Sequence, residues 1–169
     1  MARNVEAKAR LPELDAARTT ADRLGARFEW VDDQVDRYYE VGEGRRVKLR
    51  TCERAPAELI RYARPEVAGV RASEYEVLPV RDAEAEACLV PKTRPIVVVR
   101  KRRELWLLDN VRIHLDTVDG LGTFLELEAV VDERHDEVHC HEQTRRILTA
   151  FGLVETDCLR ASYSDLLRA

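Results

Sequence analysis

Several features that commonly reveal the class of a protein are missing from this sequence of 169 residues. Its 4 cysteines include no C-x-x-C pair, so neither a closely spaced redox or zinc motif nor a disulfide framework is indicated. No apolar run approaches the length of a membrane span, and the stretch from Met1 to Leu11 lacks the apolar core of a signal peptide. We therefore expect a soluble, cytoplasmic protein with reduced thiols and no membrane partner.

The sequence motifs of the common phosphate-binding and hydrolase folds are missing too. There is no Gly-rich phosphate loop and no G-x-S-x-G nucleophile motif. The formal net charge is only -4, so the molecule as a whole is not a polycation. Its cations are concentrated in Arg45–Arg50 and Lys92–Arg103. Local basic segments in a chain without overall basicity indicate a compact polyanion as ligand, and we expect no nucleic-acid partner.

Charged residues are abundant, at 36% of the chain, and in four segments they alternate with uncharged residues. The four segments are N-V-E-A-K-A-R (Asn4–Arg10), R-V-K-L-R (Arg46–Arg50), R-I-H-L-D (Arg112–Asp116) and F-L-E-L-E (Phe124–Glu128). In a strand, alternate side chains point to the same face, so each segment has a charged face and an opposite face without charge. A surface strand with its charges in water would show the same alternation. Four such segments that mix dense cations with paired acids favour a shared polar interior.

A barrel of about eight strands can provide such an interior, because its inner and outer residues alternate along every strand. Leu125 and Leu127 should then pack outside beneath helices, while Glu126 and Glu128 point inward beside Glu6. A slip of one residue would bury both acids against the helices at a cost of several kcal/mol. The residues expected to converge are Glu6, Lys8, Arg46, Lys48, Arg50, Arg112, Asp116, Glu126 and Glu128.

Periodicity and turn signals predict one α+β domain, residues 1–169, with about eight antiparallel strands and helices outside them. Pro12 opens a helix that ends at Gly25, and a long helix follows the last strand, over Glu133–Phe151. Glu66–Ala72 is predicted as a loop, Asp82–Leu89 as a short helix, and Tyr163–Leu167 as a helix capped by Ser162, while Trp30, Trp106 and Tyr75 are interpreted as packing residues.

The chain resembles the CYTH group of triphosphate tunnel metalloenzymes, which is named for class IV adenylate cyclases and thiamine triphosphatases. That family opens with E-x-E-x-K, and here Glu6 and Lys8 match its last two letters while Asn4 replaces the first. The other matching segments follow in the family's order. They are Q-V-D-R-Y-Y (Gln34–Tyr39), R-R-V-K-L-R (Arg45–Arg50), L-I-R-Y-A-R-P (Leu59–Pro65), K-R-R-E-L (Lys101–Leu105), R-I-H-L-D (Arg112–Asp116), G-L-G-T-F-L-E-L-E (Gly120–Glu128) and S-Y-S-D-L-L (Ser162–Leu167). The class IV cyclase-like branch of bacteria and archaea is the most similar, and the resemblance implies a closed eight-stranded antiparallel barrel.

The resemblance also implies a site whose cations grip phosphates and whose acids hold Mg²⁺ or Mn²⁺. Arginine matches phosphate with two hydrogen bonds, and acids beside a triphosphate require a cation between them. The implied substrate-binding residues are Lys8, Arg46, Lys48, Arg50, Arg64, Lys101, Arg103 and Arg112. The implied catalytic residues are Glu6, Lys8, Glu126 and Glu128, and the implied metal ligands are Glu6, Glu126, Glu128 and Asp116. An alternative role for Asp116 is to support a basic neighbour. For Arg10, Arg61, Arg100 and Arg102, a solvated surface charge is as good an interpretation as a place in the site.

The function implied is metal-dependent hydrolysis of a small triphosphate: inorganic triphosphate, thiamine triphosphate or a nucleoside triphosphate. One alternative is a class IV adenylate cyclase that makes cyclic AMP and pyrophosphate from ATP. The other is a sensor of polyphosphate or nucleotides without catalysis, which Asn4 motivates because it weakens the metal site. The expected partner is a small triphosphate, and a homodimer is left open.

Overall fold

In the computed structural model of the chain, residues 2–40, 46–63, 69–80 and 94–168 are described. These residues form eight strands and three α-helices. The strands are β1 (Ala2–Arg10), β2 (Arg27–Glu40), β3 (Arg46–Cys52), β4 (Ala57–Ala63), β5 (Arg71–Val80), β6 (Val97–Leu108), β7 (Val111–Val118) and β8 (Gly122–Val130). The helices are α1 (Leu14–Arg23), α2 (Glu137–Ala150) and α3 (Tyr163–Leu166), and a short 3₁₀ turn covers Glu155–Asp157.

The strands pair in the order β1-β5-β4-β3-β2-β6-β7-β8, and every pairing is antiparallel. Because β1 pairs with β5 on one side and with β8 on the other, the described strands form a closed barrel. Closure leaves no strand with an unpaired edge in this ring. The predicted α+β class with an antiparallel sheet and few helices is confirmed.

The main apolar core lies outside the barrel, where α1 and α2 cover β1, β7 and β8. Leu125 and Leu127 of β8 are fully buried in this core, as their parity predicted. The other buried members of the cluster are Val5, Ala7, Leu11, Ala17, Ala21, Ala26, Val111, Ile113, Leu115, Ala129, Cys140, Ile147, Leu148 and Cys158. Arg18 of α1 donates to Glu104 on the outer face of β6 at 3.1 Å and so fixes that helix to the wall. Among the described residues, no helix is both long and apolar enough to cross a membrane.

The element boundaries differ from the prediction at a few places. Arg71 and Ala72 were predicted in a loop, but they begin β5, where Arg71 is the register partner of Glu6. β6 runs without interruption from Val97 to Leu108. The segment predicted as a helix at Asp82–Leu89 lies outside the described residues.

One irregularity in β2 decides which way two aromatic residues face. The register between β2 and β6 shifts between Phe28 and Trp30, so Phe28 is paired with Trp106 and Trp30 with Leu105. Such a bulge inserts one extra residue and reverses the alternation beyond it. Phe28 therefore lies on the outside, in edge-to-face contact with Trp106 at 5.2 Å between ring centroids, while Trp30 lies on the inner face.

Candidate active site

The barrel encloses a cavity of about 620 Å³. Its wall consists of inward-facing strand residues together with Arg54 and Ala55 of the β3–β4 turn and with Ser162 and Tyr163. The residues predicted for the site that line this cavity are Glu6, Lys8, Lys48, Arg50, Lys101, Arg103, Arg112, Glu126 and Glu128. Asp116 lies behind the wall and is fully buried. The side chain of Arg46 and the whole of Arg64 lie outside the described part of the chain.

Three carboxylates meet where β1 pairs with β8. Glu6 is the direct register partner of Glu128, and Lys8 is the partner of Glu126. On the other side of β8, Arg112 is the partner of Glu128. Both β8 glutamates thus point into the barrel beside Glu6, with Lys8 and Arg112 on the neighbouring strands, as parity predicted.

Each of these carboxylates is paired with a cation of the wall. Glu126 lies 3.1 Å from the Lys8 ammonium and also accepts a hydrogen bond from Arg103. Burial alone would raise the pKa of Glu126, but Lys8 and Arg103 together hold that pKa well below its ordinary value. Glu128 accepts from Arg112 at 3.3 Å and Glu6 from Arg71 at 2.8 Å. In the cavity, the negative charges of these acids are therefore balanced by the positive charges of their partners.

Asp116 holds Arg103 in place. Its two oxygens accept hydrogen bonds from the Arg103 guanidinium at 2.7 and 2.6 Å, and the Tyr163 hydroxyl donates a third at 2.8 Å. Burial opposes ionisation of Asp116, yet Arg103 and Lys101 lower its pKa to about 2. These contacts favour the second of the two predicted roles, support of a basic neighbour, over direct metal binding.

Asp36 of β2, on the other side of Lys101 from Asp116, plays the same part for Arg50, and sequence reasoning missed it. Arg50 donates to its two oxygens at 2.8 and 3.0 Å. The ammonium groups of Lys48 and Lys101 lie 3.4 and 3.7 Å from the same carboxylate. Asp36 lies directly opposite Arg50 in the β2–β3 register, which is the signal that could have revealed it.

Two lysines of the cavity have pKa values well below the ordinary lysine value. Burial, with the neighbouring Arg103 next, lowers the pKa of Lys101 to about 7, although Asp116 acts in the opposite direction. Burial likewise lowers the pKa of Lys48 to about 8, with Arg50 acting in the same direction. Both side chains therefore titrate between about pH 7 and pH 8.

The C-terminal helix does not lie outside the barrel, which corrects the prediction for this element. Ser162 caps α3 by accepting from the Asp165 amide, as predicted, and the helix places Tyr163 in the cavity wall. The Lys8 ammonium lies 3.8 Å above the Tyr163 ring, within the range of a cation–π interaction, and the Lys101 ammonium lies 5.4 Å away. Burial, with Asp116 next, raises the pKa of Tyr163 well above its ordinary value, so the hydroxyl remains a hydrogen-bond donor.

Sequence reasoning also left Arg71, His114 and Trp30 without a role in the site. Arg71 was assigned to a loop, although it shares the inner face of β5 with Ser73. His114 alternates with the predicted Arg112 and lies 3.6 Å from Glu128, and its burial lowers its pKa. Trp30 was interpreted as a packing residue, but the bulge turns it into the cavity.

On β6, the structure turns the cations expected in the site toward the cavity. Lys101 and Arg103 are buried, whereas Arg100 and Arg102 on the other face are exposed. Arg10 and Arg61 are exposed as well, in agreement with their interpretation as surface charges. Trp106 packs outside as expected, and the side chain of Tyr75 lies beyond the described residues.

Comparison with known proteins gives the same assignment for almost the whole chain. The family model for the CYTH domain matches residues 2–163. The chain belongs to the CYTH domain family. Proteins of this family are triphosphatases or adenylate cyclases.

Individual proteins to which the chain is similar are distant in sequence but match it over most of their length. The adenylate cyclase CyaB of Aeromonas hydrophila is 25% identical, over 96% of this chain and 87% of its own. The PH1012 protein of Pyrococcus horikoshii has the same fold, with a TM-score of 0.82, 22% identity and coverage of 96% and 98% of the two chains. HpAC1 from Hippeastrum, named as an adenylyl cyclase and described as having a dominant triphosphatase activity, has a TM-score of 0.64 at 18% identity, with coverage of 98% and 95%.

Proposed function

We propose that this CYTH protein hydrolyses small triphosphates, such as inorganic triphosphate, thiamine triphosphate or a nucleoside triphosphate, with Mg²⁺ or Mn²⁺. The supporting observation is one cavity that brings together six cations and three carboxylates predicted for the site. The cations are Lys8, Lys48, Arg50, Lys101, Arg103 and Arg112, and the carboxylates are Glu6, Glu126 and Glu128. A triphosphate carries about four negative charges, and only a dense set of cations can compensate for its burial.

The oxygen donors of the cavity fit Mg²⁺ or Mn²⁺, which prefer carboxylate, carbonyl and phosphate oxygens. Glu6, Glu126 and Glu128 would hold the ion, and the Asn4 side-chain oxygen beside them is buried with no hydrogen-bond partner. Within the described part of the chain, no group of three or more His, Cys, Asp or Glu side chains could hold a metal ion by itself. Magnesium is commonly bound by one or two carboxylates plus substrate phosphates, so this set suits an ion that arrives with its substrate. When bound, the ion would neutralise charge that develops on the phosphates and orient them.

Binding would exchange ion pairs within the cavity. Phosphate oxygens would take over the hydrogen bonds that Lys8 and Arg103 now donate to Glu126, which frees that carboxylate for other ligands. Arg103 stays in place because Asp116 holds its other side. Arginine and lysine in fixed positions stabilise the charge of a phosphoryl transfer without rearrangement during the reaction.

In the hydrolysis, a water oxygen attacks the terminal phosphorus opposite its bridging oxygen. The bond from that phosphorus to the bridging oxygen breaks, and its electron pair leaves with the diphosphate part of the substrate. The proton of the attacking water passes to solvent or to a phosphate oxygen, and orthophosphate is released. The wall cations hold the leaving phosphates and lower the energy of the charge that forms on them.

Adenylate cyclisation is the second candidate, favoured by the name of the CyaB relative. The same cations would grip ATP, but the ribose 3′-oxygen would attack the α-phosphorus and pyrophosphate would leave. HpAC1 is named as a cyclase and yet is described as having a dominant triphosphatase activity, which supports placing hydrolysis first.

Purified protein with Mg²⁺ or Mn²⁺ should release orthophosphate from at least one of three substrates: inorganic triphosphate, thiamine triphosphate and ATP. A Glu126→Ala variant measured alongside gives the background. Chromatography of the ATP reaction separates ADP with orthophosphate from cyclic AMP with pyrophosphate, and a predominance of cyclic AMP would make cyclisation the function. Release no greater than that of the variant on all three substrates would rule out hydrolysis. If triphosphate nevertheless raised the melting temperature without divalent metal, a binding protein without catalysis would remain.

Triphosphate binding at pH 8 should be accompanied by proton uptake. The pKa of Lys101 is about 7 and that of Lys48 about 8, so much of this pair is neutral at pH 8. A bound polyanion favours the charged form and raises both pKa values, so on the order of one proton should be taken up and affinity should fall as pH rises from 7 to 9. Calorimetry in two buffers of different ionisation enthalpy measures this uptake. A Lys101→Arg variant, whose charge does not titrate here, should take up less, and equal uptake by both proteins would contradict the assignment.

A further inference from the structure

Cys52 lies at the end of β3 and lines the cavity, and the proposed reaction does not use its thiol. The side chain is half-buried, so a small ligand in the cavity can reach its sulfur atom. Its thiol interacts with the carboxylate of Asp32, and burial, with Asp32 next, raises the pKa of the thiol. The sulfur is therefore a protonated, weak hydrogen-bond donor, and it becomes a strong ligand when a cation displaces that proton.

Asp32, on the adjoining strand β2, is a buried carboxylate with little compensation for its charge. It is only 7% exposed, and within the described part of the chain no lysine or arginine lies within ion-pair distance of it. Arg103, its register partner on β6, forms its ion pair with Asp116 instead. A buried carboxylate that faces a thiol rather than a cation is costly, unless a ligand brings positive charge.

Gln34 adds a second oxygen donor to this pair. It is the register partner of Cys52, and it lines the cavity from the same face of β2 as Asp32. Gln34 is 5% exposed, and its side-chain oxygen is buried without a hydrogen-bond partner. Buried polar atoms nearly always have a partner, so an unpaired oxygen beside a thiol and an uncompensated carboxylate indicates a place for a cation.

We infer that Cys52, Asp32 and Gln34 bind one divalent cation of the zinc type, with water in its remaining position. Thiolate sulfur favours Zn²⁺ over Mg²⁺, and a carboxylate and an amide oxygen supply two further ligands of a four-coordinate ion. The thiol proton leaves to solvent as the sulfur binds, so the two positive charges of the ion meet two negative charges. Among the described residues, no three His, Cys, Asp or Glu side chains form a metal site by themselves, and here an amide oxygen takes the third place.

This cation is separate from the Mg²⁺ or Mn²⁺ proposed for the triphosphate. In the ring of eight strands, β3 is four strands from β8 in either direction, and β2 is likewise four strands from β1. The β8 glutamates and Glu6 therefore belong to the wall opposite Cys52. The two ions use different donors, so binding of the zinc-type ion can be measured without any triphosphate or turnover.

Cobalt absorption tests the site directly, because Co²⁺ replaces Zn²⁺ and shows a near-ultraviolet charge-transfer band when a thiolate is bound to it. Reduced protein in excess Mg²⁺, which keeps the carboxylates of the opposite wall occupied, should show this band when Co²⁺ is added, and Zn²⁺ should abolish it. Cys52→Ala should lose the band, whereas Cys158→Ala, in the core outside the barrel, should retain it. Absence of the band from the unmodified protein, or its persistence in Cys52→Ala, would overturn the inference.

A variant of the carboxylate and a measurement on the unmodified protein complete the test. Loss of a residue that merely supports a metal ligand weakens metal binding about 10- to 100-fold, so Asp32→Asn should weaken Co²⁺ binding at least roughly tenfold. Asp33→Asn, next along β2 but exposed outside the barrel, is the control and should leave Co²⁺ binding unchanged. In the unmodified protein, Zn²⁺ but not Mg²⁺ should protect Cys52 from alkylation by iodoacetamide, as measured by mass spectrometry of its peptide. Unchanged Co²⁺ affinity in Asp32→Asn, or equal alkylation with and without Zn²⁺, would overturn the inference.

Discussion

Replacing Glu126 and Glu128 together by glutamine should abolish metal-dependent turnover and leave triphosphate binding intact. The two carboxylates sit side by side on the inner face of β8, next to Glu6, and are the donors we propose for Mg²⁺ or Mn²⁺. A metal ion contributes several kcal/mol to phosphoryl transfer, and about 1.4 kcal/mol is a factor of ten, so we expect a loss of roughly 10³-fold. Both acids also compete with phosphate for Lys8, Arg103 and Arg112. Without metal, inorganic triphosphate should therefore raise the melting temperature of the double variant at least as much as that of the unmodified protein.

The matched control is Glu104→Gln on the outer face of β6. Glu104 is also a buried glutamate in an ion pair, with Arg18, but it does not line the cavity. This variant should retain turnover and metal dependence. Activity of the double variant within tenfold of the unmodified protein would contradict the proposed metal site. Loss of triphosphate binding in a variant that keeps its circular dichroism spectrum would show that the glutamates act in binding instead.

Asp116→Asn should destabilise the protein more than any exposed acidic substitution. The variant puts a neutral amide in place of the carboxylate that accepts two hydrogen bonds from the buried Arg103 guanidinium, and among the described residues only Glu126 remains as its charged partner. Lys101 also loses a nearby carboxylate. Removing one member of a buried ion pair costs about 3–5 kcal/mol, which corresponds to roughly 10 °C in melting temperature for a chain of this size. The same change leaves the cavity with excess positive charge, so inorganic triphosphate should raise the melting temperature of the variant more than that of the unmodified protein. Differential scanning fluorimetry with and without triphosphate measures both effects.

Asp119→Asn serves as its control, because Asp119 is exposed just after β7. A substitution of that kind changes the unfolding free energy by about 0.5 kcal/mol or less. A melting temperature of Asp116→Asn equal to that of Asp119→Asn would show that Asp116 does not stabilise Arg103. A normal response to triphosphate combined with a low melting temperature would indicate that the ion pair has a structural role alone.

Strand parity predicted much of the site because burial on one face constrains every second residue. Once Leu125 and Leu127 pack outside, Glu126 and Glu128 have only the cavity left to them. On β6, parity alone allowed either Lys101 with Arg103 or Arg100 with Arg102, and the family pattern supplied the choice that the structure shows. Sequence patterns are therefore informative where a strand is regular and one of its faces is fixed.

The missed residues lie where that regularity fails or where a partner comes from far along the chain. The extra residue between Phe28 and Trp30 breaks the alternation, so parity misplaces one of these two aromatics. Arg71 follows a segment rich in loop signals, and its pairing with Glu6 brings two distant parts of the sequence together. Tyr163 reaches the cavity from a helix of one turn, and helical periodicity carries no information about an element that short.

The contact between the first strand and the last elements also governs when the cavity can form during synthesis. Lys8 is translated long before its partners Glu126 and Tyr163. Until then, β1 lacks β8 and the charges of its inner face have no counterions from that strand. Pairings between distant segments form slowly because a long loop must be closed first. A nascent chain halted before Gly122, which lacks β8, should therefore show no protection of β1 from proteolysis, and the phosphate grip should appear only after β8 and Tyr163 have left the ribosome.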